Sequence, residues 1–174
     1  MKNNLFIKVL AAFLFCAVLS IGVNAQNTFS KGDKVVNLGV GLGSTFSHGS
    51  SIPISGSLEV GIKDQLFDEK SSLGIGGFAG FASEKWLDVR WTYILVGVRG
   101  ALHYQLVNKL DTYAGLMVGY NIASVSSDYV GASAGGFTVP FFIGGRYYFS
   151  NNIGAFAELG YGIAYLNLGV SFKF

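Results

Sequence analysis

Large apolar residues alternate with small or polar ones along most of this chain, the period of two expected of strands with one apolar face. The last nine residues carry it most clearly. Leu166, Leu168, Val170, Phe172 and Phe174 fall on one face, and Asn167, Gly169, Ser171 and Lys173 on the other. Near the start, Val36, Leu38, Val40, Leu42 and Phe46 alternate with Asn37, Gly39, Gly41, Gly43 and Thr45. Ile52, Ile54, Leu58, Val60 and Ile62 then alternate with Ser55, Ser57, Glu59, Gly61 and Lys63. A glycine-rich segment covers residues 72–82, and Ile94, Val96, Val98, Leu102 and Tyr104 are set against Arg99 and His103. Residues 112–122 form the next segment. Phe137, Val139, Phe141, Ile143, Tyr147 and Phe149 oppose Thr138, Pro140, Phe142, Gly144 and Arg146, and Ile153, Ala155, Ala157, Leu159 and Tyr161 oppose Phe156 and Glu158. The pattern predicts about eight strands of about ten residues, the length at which a tilted strand crosses a bilayer. Turns are expected at 64–71, 107–111 and 150–152 on the side of the termini, with opposite loops at 47–51, 83–91 and 123–136 and a tight link near 160–164. Pro140 removes a ladder donor, so a bulge or bend is expected there.

The first 25 residues read differently. Lys2 and Lys8 flank a charged start, residues 9–21 are an apolar run, and Val23-Asn24-Ala25 offers small residues to a signal peptidase. Cleavage between Ala25 and Gln26 is therefore expected, leaving residues 26–174 as one domain. Cys16 lies inside the apolar run behind bulky Phe13-Leu14-Phe15, not at a lipidation site, and leaves with the leader.

Without the leader the charges balance at ten basic and ten acidic residues, which gives no electrostatic reason to expect nucleic acid. No cysteine remains for disulfides or thiolate ligation. Charged residues are 13% of the chain, against about 25% in soluble domains. A water-facing surface is hard to build from that.

Glu59, Lys63, Arg99, His103, Arg146, Glu158 and Lys173 share the small-residue face. On a barrel narrow enough to be filled by side chains, that face is the lumen. Unpaired charges there cost several kcal/mol each, so an internal ion-pair network of Glu59, Arg99, Arg146, Glu158, Lys63 and His103 is expected. Arg146 and Glu158 flank one turn and are expected to meet, as are Glu59 and Arg99 across the lumen. Glycines on the same face relieve crowding. Gly39, Gly41, Gly43, Gly74, Gly76, Gly77 and Gly80 lack the strand-to-helix context of a phosphate loop.

Catalysis has little support. His48 with Ser47, Ser50 and Ser51 imitates a nucleophile pair, but no carboxylate in that loop orients it. No cluster has metal-ligand spacing, and no cofactor is expected. Trp86, Trp91, Tyr93, Tyr104, Tyr113, Tyr120, Tyr147, Phe149, Tyr161 and Tyr165 lie near strand ends, where an interfacial aromatic belt sits.

Residues 156–162, Phe-Ala-Glu-Leu-Gly-Tyr-Gly, leading into the alternating strand that ends at Phe174, resemble the closing hairpin of small outer-membrane β-barrels of the OmpX and OmpA transmembrane-domain kind. The resemblance covers nearly all of the chain after the leader. It implies an all-β, closed, antiparallel up-and-down transmembrane barrel in the outer membrane of a Gram-negative-type bacterium, surrounded by its lipids and lipopolysaccharide. It further implies insertion by the barrel assembly machinery, with Leu168, Val170, Phe172 and Phe174 as the recognised element. It implies no single activity. The expected role is structural or surface-interactive and non-enzymatic, with an extracellular partner that the sequence does not identify. One alternative is a narrow pore gated by the internal charges. Another is a soluble lipocalin-like carrier with the apolar faces turned inward.

Overall fold

The computed structural model describes residues 28–44, 52–126 and 131–174. Nine strands follow one another: β1 (Lys34–Leu42), β2 (Ile54–Asp64), β3 (Ser71–Trp86), β4 (Val89–Val107), β5 (Leu110–Ser126), β6 (Gly131–Thr138), β7 (Phe141–Tyr148), β8 (Ile153–Gly160) and β9 (Leu166–Lys173). Each pairs antiparallel with its neighbours, and β1 pairs with both β2 and β9, so the sheet closes. The strands β6 and β7 are two halves of one stave. Both pair with β5 in a single register, Gly119 with Thr138 and Leu116 with Phe141, which makes eight staves in the ring.

Pro140 sits in the break between β6 and β7, and no bulge accommodates it. The register continues unchanged, and the Met117 amide donates to the Pro140 carbonyl at 2.8 Å. Only the reciprocal bond, which a proline has no N–H to make, is missing. Bulges occur instead at the end where residues 28–33 and Phe174 lie, between Gly61 and Lys63 opposite β3 and between Gln105 and Val107 opposite β5.

The apolar faces point outward. Leu38, Val98, Leu116, Val118, Phe141, Ile143 and Leu159 are all exposed, whereas Asn37, Ser57, Glu59, Arg99, His103, Arg146, Glu158 and Ser171 are buried inside. This excludes the lipocalin-like arrangement, in which the faces are reversed. It also explains the interior glycines. A Cβ on Gly74 would stand 2.7 Å from the Glu59 carboxylate, and one on Gly144 2.7 Å from the Tyr113 ring.

The staves are unequal. β3, β4 and β5 have 16, 19 and 17 residues, against 8 to 11 in β1, β2 and β7 to β9. Together with β6, they rise as a four-stranded sheet past the rest of the barrel, away from the termini. Much of 83–91 and 123–136, expected as loop, is strand; at the tip of β3 and β4 only Leu87 and Asp88 turn the chain. Alternation fades there because the sheet has risen above the packed lumen on one side and above the apolar band on the other, so no apolar face is required.

Candidate functional site

Inside the barrel, four side chains from four staves form a closed ring. Glu59 of β2 lies 2.9 Å from His103 Nε2, and Asp111 of β5 lies 2.9 Å from His103 Nδ1. Arg146 of β7 completes the ring, donating from Nη1 to Asp111 at 3.0 Å and from Nη2 to the second Glu59 oxygen. Carboxylates only accept, so all four contacts are hydrogen bonds at once only when both ring nitrogens of His103 donate, as in the imidazolium. Two cations and two anions then cancel.

A second pair lies nearer the far end. Arg99 of β4 reaches across the lumen to Glu158 of β8, with Nη2 to Oε2 at 2.6 Å and Nη1 to Oε1 at 3.4 Å. Its guanidinium lies 3.7 Å from the centre of the Phe142 ring. The Tyr113 ring stands between the two arginines, 4.4 Å from the Arg146 guanidinium and 5.9 Å from that of Arg99. All six charged groups are buried. Beside them, the Ser171 hydroxyl donates to Asn37 Oδ1 at 2.7 Å, and the Asn37 amide donates to Ser57 at 3.2 Å, joining β9, β1 and β2 across the closing seam.

Both ends of this polar interior are covered. At the far end Ile163 and Ala164, from the link between β8 and β9, turn inward and pack with Ala82, Tyr93, Leu95 and Met117. At the terminal end, residues 28–33 cross the mouth. Phe29 stacks on His103 with ring centroids 4.1 Å apart, the Thr28 amide donates to Gln105 Oε1 at 2.7 Å, and the Ser72 hydroxyl donates to the Phe29 carbonyl at 2.9 Å. Lys173 Nζ donates to the Thr28 carbonyl at 3.2 Å. The same segment packs backbone to backbone on Gly61, where a Cβ would collide with the Ser30 carbonyl.

The expected charged residues thus come together with one exception and with exchanged partners. Arg146 pairs with Glu59 and Asp111 rather than with Glu158, and Arg99 pairs with Glu158 rather than with Glu59. Lys63 is exposed and stands outside the network. The bulge beside it places Lys63 opposite Leu73, and one extra residue inverts the facing of the side chains beyond it. Asp111 falls within an expected turn, yet it has the same parity as Tyr113 on β5 and directly opposes Arg146. Phe29 gives no signal in the sequence, since it precedes the first alternating segment. Leu168, Val170, Phe172 and Phe174 lie on the outward face, and the Phe174 backbone exchanges two hydrogen bonds with Lys34. Ala25, Gln26, Phe46 and the loop with Ser47, His48, Ser50 and Ser51 lie outside the described residues, as does Cys16. Among the described residues no group of His, Cys, Asp and Glu is placed to hold a metal ion.

No protein-family model matches the chain, and no curated protein matches it. Solved structures do. Ail, the attachment invasion locus protein of Yersinia pestis, is 15% identical with a TM-score of 0.56, over 83% of this chain and 99% of Ail. The N-terminal β-barrel domain of Pseudomonas aeruginosa OprF is 15% identical with a TM-score of 0.52, over 83% of this chain and 98% of that domain. A de novo designed transmembrane β-barrel is 17% identical with a TM-score of 0.53, over 83% and 98%. At such identities the likeness is one of architecture, and the architecture is that of the small outer-membrane β-barrels.

Proposed function

We propose that the protein is an integral outer-membrane barrel that works by interaction at the cell surface and performs no catalysis. A closed barrel with an apolar exterior satisfies every stave inside a bilayer. Ail, an outer membrane protein that has been solved in a phospholipid nanodisc, supports the location. In this reading the leader is removed between Ala25 and Gln26, and the assembly machinery engages Leu168, Val170, Phe172 and Phe174.

The observation that carries the surface role is the edge of β6 that no described residue pairs. The Met117–Pro140 bond shows that even-numbered residues of this stave turn their backbone groups toward β5. Gly131 and Ser133, above the apolar band, therefore present N–H and C=O groups to the opposite edge, where no described residue pairs with them. The segment Gly131–Thr138 carries no charge, and an unblunted edge accepts an extended chain from a partner by strand addition. The filled lumen argues against the pore alternative, because the six buried charged groups are paired with one another and packed side chains cross the lumen at both ends.

The location is tested by single cysteines in intact cells. A membrane-impermeant maleimide is expected to label Leu87→Cys but not Lys109→Cys, and the reverse would invert the barrel. Ser133→Pro, which removes one edge N–H, is expected to abolish surface interaction while leaving the barrel folded.

A further inference from the structure

The outward face of the tall sheet changes character within three rungs of its register. Phe81, Ile94 and Ile122 make the last apolar rung, with Gly135 completing it on β6. Directly above, four neighbouring strands all present hydroxyls: Ser83 opposes Thr92, Thr92 opposes Ser124, and Ser124 opposes Ser133. The next rung places Lys85 opposite Arg90, with Ser126 beside Arg90. Both cations are exposed, and among the described residues neither has an acidic partner. Of the two neighbouring carboxylates, Glu84 belongs to the inward face by parity and Asp88 stands in the turn that joins the two strands.

Directly opposed residues have Cβ atoms only about 5 Å apart, so two cations there repel each other. The repulsion is relieved by an anion held between them, and donors on the rung below supply further hydrogen bonds to it. Depth then selects the anion. The apolar rung ends where the hydrocarbon ends, the hydroxyl rung lies in the interface, and the cations stand at headgroup height on the face turned to lipid. From this register we infer that Lys85 and Arg90, above the hydroxyl rung of Ser83, Thr92, Ser124 and Ser133, clamp a phosphate-bearing lipid headgroup of the outer leaflet. The inference rests on the outer-membrane reading above and adds to it one site and one ligand chemistry.

The test uses the folded barrel in phosphatidylcholine vesicles doped with bisphosphorylated lipid A or with the same lipid stripped of phosphate. The readout is the lipid that stays with the barrel after gentle detergent extraction. Wild type is expected to retain the phosphorylated form about tenfold better. K85Q/R90Q is expected to lose this preference, whereas K85R/R90K and K109Q, at the opposite end, keep it. Equal retention by wild type and K85Q/R90Q, or equal loss in K109Q, would overturn the clamp. Soluble tripolyphosphate bound in detergent as tightly as the lipid would overturn it in favour of a free polyanion. Failure of wild type to enter vesicles would instead sink the membrane reading, and a heat-dependent shift in electrophoretic mobility reports insertion separately.

Discussion

Phe29 lies against His103, its ring 28° from parallel at a centroid distance of 4.1 Å, so a residue outside the strands closes the floor of the charged interior. The contact stacks an apolar plug on the imidazole, an arrangement in which paired rings contribute more than their buried area. Phe29→Ala is expected to destabilise the barrel by about 3 kcal/mol. Urea unfolding of the protein in lipid vesicles measures this, and a loss under about 0.5 kcal/mol, the range of an inert surface change, would show that the floor bears no weight.

Arg99 and Glu158 are expected to behave as a pair. Arg99→Met or Glu158→Met alone leaves a buried charge without its partner and costs about 3 to 5 kcal/mol, whereas the double replacement by apolar residues of similar size costs far less. A double-mutant cycle reads the difference as coupling. Additive losses would contradict the direct bond.

Lys63 provides the contrast. It has the composition of a network member but the exposure of a surface residue, so Lys63→Gln is expected to change stability by less than about 0.5 kcal/mol. A cost comparable to that of Arg146→Met would mean that the bulge does not turn it outward.

In planar bilayers wild type and Arg146→Ala are both expected to be silent, because Phe29 and the Ile163 cluster still cover the two mouths. Unitary current steps are expected only when both covers go, in Phe29→Ala with Ile163→Gly. Steps in wild type would revive the gated pore.

Gly80 faces the side chains of Ile163 and Phe78, and Gly80→Val forces a side chain into space that they already fill. Overpacking of this kind costs about 1 to 3 kcal/mol, and the restoring change is Ile163→Ala in the same chain. Recovery in the double variant, measured by the same unfolding transition, would identify the clash as the cause.

Much of this architecture is legible in the chain because a strand between lipid and a crowded lumen has no freedom of pattern. Leu166 to Phe174 can alternate in one way only, and the inward parity of Glu59, Arg99, His103, Arg146 and Glu158 obeys the same rule. Which charge meets which is not legible. Partner choice depends on how far neighbouring staves slide past one another, and Asp111 opposes Arg146 across a hairpin whose register no local turn signal reveals. The bulge at Lys63 is equally hidden, since an inserted residue leaves composition and hydropathy unchanged. Ile163 and Phe29, one in a tight link and the other beside the leader, acquire their roles only when the ring has closed around them.

The charged ring draws Glu59 from the second stave, His103 from the fourth, Asp111 from the fifth and Arg146 from the sixth. A half-zipped sheet would hold those groups against hydrocarbon without their counterparts. Closure is therefore expected to be all-or-none. Intermediates with some staves inserted carry an electrostatic penalty that vanishes only at the last pairing, and the same charges that neutralise the finished interior enforce the cooperativity of its assembly.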